Sequence, residues 1–195
     1  TSARIGYFGT ATGTSGGTTQ IDARNSRQVN LADSILYASN GSTAITGKVQ
    51  SYGTLPTSAT AATPVVTLAT ADAVNGFVLL DLDAGVAGSD TIYALSTVEG
   101  LLRKYTYNGS IWSATGSVAT SALNITAQVS AGIPTLYFTT SSALLALTDS
   151  SGYGGTLAGT PTSLVSAGTN TAFRGIGTLT IPEPGSFALL LIGAV

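Results

Sequence analysis

The 195-residue sequence contains no cysteine, histidine or methionine. Without cysteine, disulfides, thiolate nucleophiles and Cys-ligated zinc or iron–sulfur sites are excluded. Without histidine, the commonest general base and transition-metal ligand is missing, and neither a Ser-His-Asp triad nor a Cys-His pair can form. We therefore expect a protein that is not an enzyme.

Charge is also scarce, because only 8% of the residues are charged and the formal net charge is −2. The only adjacent basic pair is Arg103-Lys104, so no basic stripe could neutralise phosphates, and nucleic acid is not an expected partner. No run of about 20 apolar residues is present, so contact with a membrane is expected only through a complete C-terminal tail. The chain does contain 44% hydrophobic residues, 24 glycines and about a quarter Ser and Thr. This composition is enough to build a core and is typical of extracellular bacterial β proteins.

Short alternating apolar runs, rich in Val, Ile, Thr and Tyr and separated by turn residues, predict an all-β fold. The strongest hairpin signal is Asn108-Gly109, because both residues tolerate the positive φ of a tight turn. Phe173–Leu179 is expected to form the last strand. Arg174, in this otherwise apolar strand, is expected to form a buried ion pair, and an anion site is the alternative.

One strand recurs three times in the sequence, and each copy is entered by a turn residue and centred on a tyrosine. These tyrosines are Tyr37, Tyr93 and Tyr137, which are 56 and 44 residues apart. A period of about 40–50 residues with about four strands is the size of a β-propeller blade. The sequence therefore predicts a β-propeller-like repeat domain over residues 1–180, with blades of four antiparallel strands at residues 27–70, 76–120 and 123–167.

Three blades and one further strand do not close a ring, because propellers generally have four to eight blades. Residues 1–22 supply at most two or three strands towards a fourth blade. We therefore expect an incomplete propeller or one completed by another chain, and a β-sandwich or a β-solenoid stays an alternative. Low charge and hydroxyl-rich strand edges suit lateral pairing, so a homo-oligomer or filament is among the expected assemblies.

The C-terminus carries the most specific motif in the chain. The segment at residues 181–187, which contains Pro182-Glu183-Pro184, precedes the apolar run at residues 188–195. This pattern resembles the PEP-CTERM sorting signal of Gram-negative bacteria, in which Pro-Glu-Pro is followed by a hydrophobic helix and a basic cluster. No basic cluster follows Val195, and about nine apolar residues reach only about half way across a bilayer core. We therefore expect residues 181–195 to be a truncated sorting tail.

The resemblance implies export, processing by exosortase-type machinery, and delivery to the cell surface or the extracellular matrix. The body of the chain, in segments such as residues 88–93, 147–153 and 170–175, resembles the C-terminal half of bacterial propeller-like proteins that end in this signal. That resemblance carries no known reaction. The predicted function is a non-enzymatic structural or display protein, with extracellular polysaccharide or matrix as its partner.

The alternative class is a propeller module that binds calcium or carbohydrate. Asp81, Asp83 and Asp90 could supply oxygen ligands to Ca²⁺ as a cofactor, or they form turns. Trp112 and Tyr153 lie beside Gly-rich turns and could stack on sugar rings, whereas Tyr93, Tyr105, Tyr107 and Tyr137 are expected to pack between blades. A lyase or glycosidase based on Tyr, Arg and Asp is a third hypothesis, and it requires residues upstream of this sequence.

Overall fold

A computed structural model describes residues 5–7, 19–42, 44–69 and 71–177. These residues form fourteen strands in four antiparallel sheets, one of two strands and three of four, and none of the sheets closes into a barrel. The predicted all-β fold is confirmed. Within the same ranges there is no helix, and so none with the length and hydrophobicity needed to cross a bilayer. The motif Pro182-Glu183-Pro184, like the rest of the 181–195 tail, lies outside the described residues.

Blade one is the first four-stranded sheet, and a two-stranded sheet packs on its outer face. Its strands are joined in simple up-and-down order. The first hairpin turns on Asp33 and Ser34, whose φ values of 52° and 63° are the positive angles that a two-residue type I′ turn requires. The strands of the two sheets are β1 (Ile5–Tyr7) and β2 (Thr19–Asp22), then β3 (Ser26–Ala32), β4 (Ile35–Asn40), β5 (Gly47–Thr54) and β6 (Thr63–Thr67).

Blades two and three repeat the same up-and-down order. Each of the three predicted segments, 27–70, 76–120 and 123–167, therefore contains the greater part of one four-stranded sheet. Blade two consists of β7 (Val74–Leu80), β8 (Thr91–Ser96), β9 (Leu101–Tyr107) and β10 (Trp112–Ala119). Blade three consists of β11 (Asn124–Ser130), β12 (Ile133–Thr139), β13 (Ala143–Thr148) and β14 (Thr162–Ser166).

The blades stack in chain order, with their first strands side by side. Strand β7 contacts both β3 of blade one and β11 of blade three. The first strands thus gather at a common axis, as in the radial arrangement of a propeller. One apolar core fills the space between blades one and two, and another fills the space between blades two and three. A smaller core, which includes Ile5 and Ile21, joins the two-stranded sheet to blade one.

The three repeated tyrosines occupy the second strand of each blade, on the face that points to the next blade. Tyr37 packs in the core between blades one and two, and Tyr93 packs in the core between blades two and three. Side chains alternate between the two faces of a strand. Because Leu136 and Phe138 belong to the core shared with blade two, Tyr137 points to the opposite face. Tyr137 is only half-buried, and no described sheet covers that face of blade three.

The expected last strand at Phe173–Leu179 is wrong for residues 173–177, which are irregular, and residues 178–179 lie outside the described ranges. The N–H of Phe173 donates to the carbonyl of Ser141 in a turn instead of to a strand. Gly175 and Gly177 also weaken a strand, because glycine loses the most conformational freedom on ordering. Arg174 is exposed, so its predicted burial in an ion pair is also wrong.

Candidate functional site

A cleft of about 410 Å³ opens between blades one and two. Blade one contributes residues of the β3–β4 turn, β4, β5 and the start of β6. Blade two contributes the loop between β7 and β8 and the hairpin between β9 and β10. The cleft therefore combines side chains that lie far apart in the sequence, including Asp33, Tyr37, Ser51, Ser89, Tyr107 and Trp112.

Two aromatic rings form one wall of the cleft. Tyr107 and Trp112 pair across the β9–β10 hairpin, and their ring centroids are 5.2 Å apart with 31° between the ring planes. The side-chain oxygen of Asn108 accepts hydrogen bonds from the N–H groups of Ser110 and Ile111, at 3.0 and 2.9 Å. Of the two residues in the predicted turn, only Gly109 takes a positive φ, of 89°. The hairpin loop thus has four residues, and it fixes the aromatic pair at the base of the loop.

The carboxylate of Asp33 is part of the polar lining of the cleft. Asp33 Oδ2 accepts hydrogen bonds from the backbone N–H and the hydroxyl of Ser89, both at 2.7 Å. These two bonds join the first turn of blade one to the β7–β8 loop of blade two. Burial, together with the Asp33 carboxylate, raises the pKa of the Tyr37 hydroxyl. Tyr37 therefore stays protonated at neutral pH and keeps its hydrogen-bond donor.

In the interface between blades two and three, a buried ion pair fills the corresponding position beside Tyr93. Ser51 lies opposite Tyr37 on the neighbouring strand, and Lys104 lies opposite Tyr93 in the same way. Lys104 is fully buried, and its Nζ atom is 2.7 Å from Asp149 Oδ2 in blade three. The hydroxyl of Tyr93 donates to the same oxygen at 2.6 Å. A long side chain fills the space beside Tyr93, whereas the short Ser51 leaves the space beside Tyr37 open.

Hydrogen bonds keep both members of the Lys104–Asp149 pair charged. Burial alone raises the pKa of Asp149, but hydrogen bonds from Lys104, Ser151 and Tyr93 outweigh burial and lower the pKa. Lys104 Nζ also donates to the carbonyl oxygens of Gly152 and Gly155. These bonds satisfy an ammonium that is out of contact with water, as a buried charge requires. This network is structural, and the open cleft is the better candidate for a ligand.

The structure separates the two aromatic residues that the sequence suggested for sugar binding. Trp112 lines the cleft, while Tyr153 is not among the described residues that line it. The hydroxyl of Tyr153 instead donates to the carbonyl oxygen of Tyr107 at 2.5 Å, which ties blade three to blade two. Sequence reasoning assigned Tyr107 to packing and used Tyr37 only as a marker of the repeat, so it missed both as cleft residues. The aromatic residues at both ends of the 108–111 loop were the signal that could have identified Tyr107.

The three aspartates of the calcium hypothesis lie in or beside the β7–β8 loop. Asp90 is buried, and its oxygens accept hydrogen bonds from the N–H groups of Leu82 and Asp83, the latter at 2.6 Å. Asp83 accepts from the N–H of Gly85 at 2.9 Å, while Asp81 is exposed. In the part of the chain that the structure describes, no three acidic side chains converge as metal ligands. Asp90 thus closes the loop, and Ca²⁺ binding stays a prediction.

No protein-family model matches the chain, and neither the curated proteins nor the solved structures include a significant match to it.

Proposed function

We propose that the protein is a non-enzymatic, exported scaffold of the cell surface or extracellular matrix that holds extracellular polysaccharide in the cleft between blades one and two. The observation that carries this proposal is the aromatic pair of Tyr107 and Trp112, which lies beside a space left open by Ser51. Export and a surface location rest on the resemblance of residues 181–195 to a sorting signal that exosortase-type machinery processes.

The chemistry of the cleft suits a neutral sugar. Aromatic ring faces pack against the apolar C–H surface of a sugar ring, and such rings supply large contact areas. Asp33, Ser51 and Ser89 offer oxygen atoms for hydrogen bonds to sugar hydroxyls. A volume of about 410 Å³ lies in the range of small-ligand sites. No basic residue is found among the described cleft residues, which disfavours an acidic sugar at this position.

The same cleft supports binding over hydrolysis. Most glycosidases use two carboxyl groups that flank the scissile bond. Asp33 is the one acidic residue among the described residues of the cleft, and it already accepts two hydrogen bonds from Ser89. A single carboxylate that orients a hydroxyl is sufficient for recognition.

The first test is binding of neutral oligosaccharides, found on a glycan array and measured by titration calorimetry. We expect Trp112→Ala to weaken binding by about tenfold or more, because stacking on an aromatic ring is worth a large share of the affinity. Tyr137→Ala is the matched control, since it removes a half-buried aromatic ring from a different blade. Binding that Trp112→Ala and Tyr137→Ala weaken equally would contradict the proposal.

A second variant tests whether sugar binding needs the open space beside Tyr37. Ser51→Lys places a long side chain opposite Tyr37, as Lys104 lies opposite Tyr93. We expect this variant to keep the circular dichroism spectrum of the wild type and to lose sugar binding. Release of reducing ends from a bound polysaccharide by the wild-type protein would show an enzyme and would overturn the proposed function.

A further inference from the structure

A second, smaller cavity lies where the first strands of the three blades meet. Its volume is about 220 Å³. It opens at the end of the axis where β3, β7 and β11 begin, and part of the irregular segment 173–177 forms one side. The polar residues that line this axial pocket are Arg27, Gln28, Asn75 and Asn124, and the others are Ile125, Gly175 and Ile176.

Each blade contributes a polar side chain from a corresponding place in its first strand. In blade one, the pairing of β3 with β4 is interrupted by a bulge at residues 27–28. In blade two, the pairing of β7 with β8 is interrupted in the same way at residues 75–76. Bulges turn side chains away from the regular alternation and often occur beside binding sites. Arg27 and Asn75 are therefore equivalent, and Asn124, the first residue of β11, completes the set.

The Gln28 side chain and close backbone packing hold the first strands together around the pocket. The side chain of Gln28 donates to the carbonyl oxygen of Phe77 at 3.0 Å and accepts from the N–H of Phe77 at 2.7 Å, which joins β3 to β7. On the other side of β7, a Cβ atom at Gly76 would lie 3.0 Å from the carbonyl oxygen of Leu123. The first strands are therefore closely packed, and the pocket is formed before a ligand binds.

The pocket contains hydrogen-bond donors without a matching anion. Arg27 is exposed and has no acidic partner within the described residues, where Arg24, Arg103 and Lys104 each form an ion pair. No acidic side chain is among the described residues that line the pocket. A guanidinium and two side-chain amides are donors that suit a planar carboxylate, which accepts charge-assisted hydrogen bonds on both oxygens.

We infer that the axial pocket binds the carboxylate of a uronic acid residue. The inference rests on the proposed function, since the acidic residue would belong to the same extracellular polysaccharide that the cleft contacts. Arg27 supplies the charge-assisted contact, and Asn75 and Asn124 donate to the carboxylate or to a neighbouring hydroxyl. The cleft and the axial pocket would then select neutral and acidic parts of one polymer.

The experiment is a titration of the ¹⁵N-labelled wild-type protein with D-glucuronate, followed by NMR chemical shifts. D-Glucose is the neutral control, and inorganic sulfate is the control for a simple anion. We expect saturable shifts at the amides of residues 27–28, 75–76 and 124 with glucuronate alone. Arg27→Gln is expected to weaken glucuronate binding by about tenfold or more. Arg103→Gln, which removes one positive charge from the surface of blade two, is expected to leave binding unchanged.

Absence of saturation with glucuronate, or equal losses in Arg27→Gln and Arg103→Gln, would overturn the inference. Equal binding of sulfate would also overturn it, because the pocket would then recognise charge without the sugar. A different result would reject the proposed function while leaving the axial pocket in place. Glucuronate binding that Arg27→Gln weakens, together with neutral-sugar binding that Trp112→Ala leaves intact, would retain the axial pocket and reject the cleft.

Discussion

At the level of single residues, the Asp90 carboxylate accepts hydrogen bonds from the loop in which it lies. The N–H groups of Leu82 and Asp83 and the hydroxyl of Thr91 all donate to it. We expect Asp90→Ala to lower the free energy of unfolding by about 1–3 kcal/mol, because these donors lose a buried acceptor. Urea denaturation measures this change. Asp81→Ala is the control, and since Asp81 is exposed we expect a change within about 0.5 kcal/mol.

The calcium hypothesis makes a separate prediction at the same loop. Binding to the folded state alone raises the melting temperature as the ion concentration rises. If Ca²⁺ binds, the wild type shows a saturable rise that Asp81→Asn and Asp83→Asn reduce. A melting temperature that is independent of Ca²⁺ would leave loop closure as the role of Asp90.

Asp149 makes the free energy of unfolding depend on pH in the acid range. Hydrogen bonds from Lys104, Ser151 and Tyr93 hold its pKa in the folded state below the ordinary value of about 3.9 that applies to the unfolded chain. The unfolded state therefore takes up the proton first, so the stabilisation is present above about pH 4 and is lost as the pH falls through the folded-state pKa. We expect the free energy of unfolding to fall more steeply below pH 4 in the wild type than in Asp149→Asn. Parallel curves for the two proteins would contradict this.

At the level of elements, the interface between blades two and three depends on a pair that is costly to break. Lys104 and Asp149 are both buried, with 0% and 2% of their surface exposed. Loss of one partner leaves a buried charge, so we expect Lys104→Met or Asp149→Leu alone to cost about 3–5 kcal/mol. The double variant is expected to recover most of this loss. A double-mutant cycle in urea measures the coupling, and additive losses would show that the pair does not interact as described.

The strands were predictable from the sequence where alternation and repetition coincide. The repeated tyrosine-centred pattern correctly predicted β4, β8 and β12, and the turn residues between these strands predicted the division into three blades. The equivalence of Ser51 and Lys104 was not predictable, because β5 and β9 share no motif and only the strand register aligns these residues. The axial pocket was missed for a related reason, since a bulge is defined by the pairing of two strands, and the sequence of one strand does not show which partner residues it faces.

At the level of the whole molecule, the face of blade three that bears Tyr137 is the place where a further sheet would pack. Leu144 lies on the same face, opposite Thr139, and Val165 beside it is 51% exposed. The homo-oligomer expected from the sequence would bury this surface. We expect sedimentation velocity to show association that grows with protein concentration and that Tyr137→Lys weakens. A monomer at every concentration would contradict it, and Tyr7→Lys, on the two-stranded sheet, is the control.

The stacking of blades also bears on how such a protein changes over time. Among the described residues, the apolar cores join each four-stranded sheet to the sheets before and after it, so a tandem duplication of one sheet would extend the stack without rerouting the chain. The two interfaces already differ beside the repeated tyrosine, where Lys104 occupies the position next to Tyr93 and the short Ser51 leaves a cleft next to Tyr37. A duplicated sheet could therefore acquire a new recognition surface by exchanging one residue on its third strand, while the older copy keeps its original role.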